Sequence, residues 1–99
     1  MMRIPVPEEE IAEFCRSRHI RWIACFGSAV RDDFAPDSDV DFLVEFAPGH
    51  TPGREIIDIE EDLSALFGGR KVDIINRKYL NRRMRDRVLT EAEVLYAAG

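Results

Sequence analysis

Three aspartates and one glycine-serine pair hold most of the chemical potential of this chain: Asp39, Asp41, Asp73 and Gly27-Ser28. Asp39 and Asp41 flank Val40 in a segment of strand composition. In a strand that spacing puts both carboxylates on one face, about 6.5–7 Å apart along the chain. Asp73 lies between Val72 and Ile74, which would point the other way. If the two strands are neighbours, three carboxylates gather. Left alone, like charges repel and drive one another toward protonation. A divalent cation removes that penalty, and Mg²⁺ takes a few carboxylates together with waters and substrate phosphates. Two such ions about 3.5–4 Å apart can activate an attacking oxygen and stabilise a leaving phosphate. The structural alternative makes Asp39 a turn cap and leaves Asp41 and Asp73 as solvent-facing strand residues. Aspartate is disfavoured in strands, so two of them inside otherwise apolar runs need an explanation; the carboxylates alone leave both readings open.

Gly27-Ser28 closes a run of strand-forming residues and opens a short helical turn. That geometry aims backbone N–H groups and a helix dipole at an anion, and Ser28 adds a hydroxyl. Many tight turns look the same, so the pair gains weight only from the acidic segment that follows it.

The elements that must position these groups follow from periodicity. Pro7 ahead of Glu8, Glu9 and Glu10 predicts a helix start, with acids at the positive end of the dipole. Ile11, Phe14 and Cys15 form its apolar stripe. Ile20 to Phe26 reads as a central strand buried on both sides, with Ile20, Trp22, Ala24 and Phe26 on one face and Ile23 and Cys25 on the other. Val40 to Phe46 is the next strand, with Val40, Phe42, Val44 and Phe46 opposite Asp39, Asp41, Leu43 and Glu45. Residues 47–53, with two Pro and two Gly, form a loop. A helix is predicted over Arg54 to Phe67, stopped by Gly68-Gly69. Lys71 to Ile75 is a short strand. Leu80, Met84 and Val88, four residues apart, predict a last long helix, and Val94 to Tyr96 a weak terminal strand. The fold class is α+β (α/β-like), a small mixed β-sheet flanked by helices.

At 99 residues the chain has room for one domain, residues 1–99. Its 45% apolar and 33% charged content is globular. A net charge of −5 argues against a general polyanion binder. Cys15 and Cys25 sit in apolar surroundings as small hydrophobes; two cysteines make neither a disulfide framework nor a Cys-rich zinc site. The N-terminus lacks the apolar core of a signal peptide, and no apolar run nears the ~20 residues of a membrane span. The expected location is cytoplasmic. Trp22 is expected in the core, and His19 and His50 as isolated surface residues. The basic stretch Arg77, Lys78, Arg82, Arg83, Arg85 and Arg87 could contact RNA, nucleotide phosphates or an acidic partner. The plainer reading, preferred from sequence, is a solvated helix face opposite Leu80, Met84 and Val88.

The whole arrangement resembles the minimal nucleotidyltransferases of the DNA polymerase β-like superfamily. Cys25-Phe26-Gly27-Ser28, ten intervening residues and Asp39-Val40-Asp41 match the family's Gly-Ser…Asp-x-Asp signature. Arg31 matches the Arg three residues after the Ser, Ser38-Asp39 the usual entry to the acid pair, and Lys71-Val72-Asp73 the third acid. Arg87-Val88-Leu89 and Glu93 to Tyr96 look like the family's tail. Asp32 departs from it, where many members carry Gly. The likeness implies a polymerase β-like nucleotidyltransferase core in which Gly27, Ser28 and Arg31 bind the nucleotide, although Arg31 could equally fix the loop by pairing with a nearby acid. Asp39, Asp41 and Asp73 would be the catalytic residues and the ligands of a two-metal Mg²⁺ site, with ATP as substrate. It further implies that the chain is the antitoxin of a HEPN-domain ribonuclease toxin, transferring AMP to a tyrosine of that partner, with nucleic acid not expected as a direct ligand. Two other readings stand beside it: an antitoxin that neutralises by binding alone, and nucleotidyl transfer to a nucleic acid or to a small molecule such as an aminoglycoside.

Overall fold

A computed structural model describes residues 6–30 and 39–98, and for residues 28 and 29 the backbone alone. Helix α1 (Glu8–Ser17) is followed by β1 (Ile20–Phe26), a 3-10 turn (Gly27–Val30) and β2 (Val40–Phe46). Then come α2 (Ile56–Leu66), β3 (Val72–Asn76), a second 3-10 turn (Arg77–Tyr79), α3 (Arg82–Glu91) and β4 (Glu93–Ala97). The four strands form one sheet in the order β3-β2-β1-β4. β1 runs antiparallel to both β2 and β4, and β2 runs parallel to β3, so the sheet is mixed. No helix of the described residues is long and apolar enough to cross a membrane.

The predicted patterns set which sides are buried. Pro7 stands just ahead of α1, its carbonyl accepting from the Ile11 N–H at 2.8 Å, and Ile11, Phe14 and Cys15 face inward. α2 is shorter than predicted: the Glu55 carboxylate bonds the Gly53 N–H at 2.8 Å and holds residues 53–55 in a turn ahead of it. Ile59, Leu63 and Phe67 from this segment meet Ile23, Cys25, Val40, Phe42, Val44 and Val72 in a single apolar cluster with α1. Burying each such aliphatic or aromatic side chain contributes roughly 1.5–3 kcal/mol. Ala24 and Leu43, on the opposite face, are fully buried too, which makes β1 and β2 central strands covered on both sides.

Two expectations are corrected. Ile20 does not share a face with Trp22. Ile20 pairs with Phe46 and Trp22 with Glu45, so Arg21 is an extra residue in a β-bulge, and Ile20 rotates into the helix-side core. Arg21 is left free to reach the Glu45 carboxylate at 3.3 Å. The second correction concerns Leu80, Met84 and Val88, which do not form one buried stripe. Leu80 is buried but extended and outside the helix, because the Asn81 side chain caps α3 by accepting from the Met84 N–H at 2.9 Å. No residue of α3 is buried, and Met84 is 51% exposed.

β3 and β4 lie at opposite edges of the sheet, so residues 77–92 must carry the chain from one edge to the other. They do so on the face away from α1 and α2, where the Arg77 guanidinium sits 4.7 Å over the Trp22 ring and α3 packs against the turn at residues 27–30.

Candidate active site

Parallel pairing of β2 with β3 decides which acids meet. The Val40 N–H donates to the Lys71 carbonyl at 2.9 Å, and from there the register runs Val40 with Val72 and Asp41 with Asp73. Paired residues of a parallel ladder share a face, and neighbouring strands lie about 4.8 Å apart. Asp41 and Asp73 therefore stand side by side on the sheet face opposite the core formed by Val40, Phe42 and Val72. Both are partly exposed, which leaves the carboxylates accessible to an ion or a substrate.

The turn at the end of β1 closes on the same point. Phe26 pairs with Asp41, which puts Gly27 beyond the strand end next to that carboxylate. Gly27 has φ +78°, and a Cβ built there would lie 2.6 Å from Asp41 Oδ2. Only glycine lets this backbone and this carboxylate approach so closely. The 3-10 turn of residues 27–30 follows and packs against β2.

Asp39 has the same parity as Asp41 but a different neighbour. Lys71, two residues ahead of Asp73, brings its Nζ to 3.8 Å from Asp39 Oδ2, and both groups are well exposed. An ion pair in that setting is worth about 0–1 kcal/mol. The structure thus brings Gly27, Asp41 and Asp73 together and gives Asp39 a cationic neighbour. Among the described residues no three His, Cys, Asp or Glu side chains form a group that could by itself hold a metal ion. That arrangement still suits Mg²⁺. The donors are all hard oxygens, and Mg²⁺ is usually held by one or two carboxylates plus waters and substrate phosphates rather than by an all-protein cage. The Ser28 side chain and Arg31, both expected at the nucleotide, lie outside the described residues.

Several features of the site had little signal in the sequence. Glu60, on α2, accepts the Ile74 N–H at 3.1 Å, holding the outer edge of β3 one residue past Asp73. Fourteen residues separate the two partners, and no local pattern links them. Lys71 could have been found from its spacing: two residues before Asp73, it must share that residue's face. Cys25 lies near the acids but is no nucleophile; burial above all, then the charges of Asp41 and Glu93, push its thiol up to about 12. His19 and His50 are exposed, as expected, but not isolated: their rings stack with centroids 3.9 Å apart, joining the turn after α1 to the loop after β2. Trp22 is only partly buried beneath Arg77.

The model of the family described as the nucleotidyltransferase domain matches residues 8–96. The protein adenylyltransferase MntA of Thermococcus cleftensis is 41% identical over 73 residues, which is 73% of this chain and 71% of that protein. A solved toxin-antitoxin complex with AMP-PNP is similar at a TM-score of 0.75 and 19% identity, covering 94% of this chain and 75% of that one. A complex of tri-AMPylated Shewanella oneidensis HEPN toxin with MNT antitoxin is similar at 0.66 and 18% identity, covering 92% and 70%. At such identities the two structures speak for the fold, while the sequence matches speak for descent. With one domain model running from the first turn of α1 into β4, the chain belongs to the nucleotidyltransferase family.

Proposed function

We propose that this chain is a Mg²⁺-dependent protein adenylyltransferase that moves AMP from ATP to a tyrosine hydroxyl of a HEPN-domain toxin and so acts as its antitoxin. The observation that carries the reading is the close approach of Gly27 to Asp41, with Asp73 in register beside it. A phosphate lying against the Gly27 turn has carboxylates within reach. Such a site needs an ion between them, because phosphate and carboxylate otherwise repel. The relative named as a protein adenylyltransferase and the fold shared with a HEPN toxin–antitoxin complex support the choice of acceptor. The complex with AMP-PNP supports ATP as donor.

In this reading Gly27 and Ser28 hold the triphosphate and Arg31 contacts it. Asp39 and Asp41 are the metal ligands, and Asp73 completes the second position. Bound Mg²⁺ would neutralise phosphate charge and stabilise the pyrophosphate leaving group. Asp73 takes the proton of the acceptor hydroxyl. That oxygen forms its bond to the α-phosphorus as the bond to the bridging oxygen breaks, and pyrophosphate leaves. The sheet's contribution is positioning: the β2–β3 ladder holds two carboxylates at one strand spacing before substrate arrives. Both cysteines are free and buried, which suits a reducing, cytoplasmic setting.

The test is incubation of the chain with labelled ATP, Mg²⁺ and the HEPN-domain product of the neighbouring gene. The partner should acquire one AMP per modified tyrosine, and Asp39→Ala or Asp41→Ala should abolish labelling. Undiminished labelling by those variants would remove the assigned metal site.

A further inference from the structure

The basic stretch acquires a different meaning once the packing of α3 is known. The sequence preference for a merely solvated face required Leu80, Met84 and Val88 to be its buried counterpart. Instead α3 has no buried residue, Val88 and Leu89 are half covered, and Met84 stands in solvent. Residues 77–91 contain six Arg and Lys against two acids, in a chain of net charge −5. Arg77 lies over Trp22, and Lys78 bonds Thr51 and lies 5.0 Å over the Tyr79 ring, so those two have intramolecular partners. Arg82, Arg83, Arg85 and Arg87 are exposed, and none forms an ion pair among the described residues. Arg82 and Arg83 open the helix, where the dipole favours acids, and its first turn has none. Their placement therefore works against the helix that carries them.

Arg83 and Arg87 are one turn apart and share the outer face, with Met84 at its border. Arg and Met are enriched at protein interfaces, and charged groups around an apolar centre steer association. A polynucleotide fits less well: no row of aromatics is present for bases to stack on, and the chain as a whole is acidic. α3 also packs against the turn at residues 27–30, so a protein seated on it lies beside the nucleotide turn.

We propose that the outer face of α3, formed by Arg83, Met84 and Arg87, docks an acidic face of the protein that presents the acceptor hydroxyl. This rests on the adenylyl-transfer reading for the identity of that protein, and on the charge pattern of α3 for the surface. The face sets the encounter and leaves the chemistry to Gly27 and the aspartates.

The experiment measures two quantities for wild type, Arg83→Glu/Arg87→Glu and Arg83→Lys/Arg87→Lys, at low and high salt. One is the Kd for the HEPN-domain neighbouring-gene product without ATP; the other is the steady-state rate of AMP transfer against partner concentration. Circular dichroism of each variant checks the helix. Charge reversal should raise both the Kd and the partner KM about ten-fold or more, with kcat and the KM for ATP unchanged. The lysine variant should stay near wild type, and the wild-type Kd should rise with salt. A folded reversed variant with wild-type Kd and partner KM overturns the proposal. It is equally overturned if the reversal abolishes binding of a single-stranded RNA oligonucleotide, or dissociates a wild-type homodimer in sedimentation, while the partner Kd stays put. If wild type binds the partner but transfers no AMP, the transfer reading fails and the Kd series still judges the surface.

Discussion

Replacing Gly27 by alanine separates backbone strain from site chemistry, because Gly49 supplies an internal control. Both glycines have nearly the same positive φ, +78° and +81°. An L-residue there costs roughly 1–2 kcal/mol. For a domain of this size each kcal/mol lowers Tm by about 4–8 °C. Up to that point the two substitutions are equivalent. Their surroundings differ: a Cβ at Gly49 meets nothing within 4 Å, whereas one at Gly27 lies 2.6 Å from Asp41 Oδ2. Ordinary contact with a Cβ begins near 3.4 Å, so the carboxylate oxygen must retreat by about 0.8 Å. A misplacement near 1 Å at a reacting centre can cost about 10²-fold in rate. Thermal or urea unfolding should therefore show similar losses for Gly27→Ala and Gly49→Ala. Transfer from labelled ATP should fall about 10²-fold for Gly27→Ala and stay close to wild type for Gly49→Ala. Equal activities for the two variants, whatever their stabilities, would refute the claim that the Gly27–Asp41 approach is part of the site.

Three further outcomes are expected. Mg²⁺ or Mn²⁺ at 100 times its Kd should stabilise the folded chain by about 2.7 kcal/mol in thermal unfolding, and Asp41→Asn should remove that shift; an undiminished shift would place the ion elsewhere. Burial raises the Cys15 and Cys25 thiols from 9.0 to about 12, so the unfolded chain releases these protons first; their contribution to stability is complete below pH 9 and is lost as pH rises through 12. Native protein near pH 8 should accordingly resist thiol reagents until unfolded, and rapid labelling without unfolding would contradict the burial. Glu60→Ala should cost about 1 kcal/mol and speed hydrogen exchange of the Ile74 amide, with Glu60→Gln restoring much of the protection through its carbonyl; equal exchange in all three proteins would dismiss the Glu60–Ile74 bond as a support of β3.

Local patterns were readable without coordinates. The acids in the first turn of α1, its apolar stripe of Ile11, Phe14 and Cys15, and the alternation across β2 each depend on a few consecutive residues and on backbone geometry alone. The same parity rule put Asp39 and Asp41 on one strand face, and the Gly-Ser break marked the end of β1. The burial of Cys15 and Cys25 was likewise visible in their apolar neighbours. Those patterns assign a side to each residue but name no partner across the sheet.

Tertiary packing decided the partners. Asp73 stands beside Asp41 because β2 and β3 pair in parallel through a register that begins at Val40 and Lys71, residues far apart in the chain. Lys71 meets Asp39 through that same register. The bulge at Arg21 turned Ile20 to the core because one extra residue reverses the strand's alternation, and composition does not mark where it is inserted. α3 shows the limit most plainly: its four-residue apolar spacing predicted a buried face, but the capping by Asn81 and the path from one sheet edge to the other left Met84 in water. Periodicity depends on neighbours along the chain, whereas burial depends on what the rest of the fold brings against each face, and for this protein that second factor determined both the carboxylate pair and the exposed arginine helix.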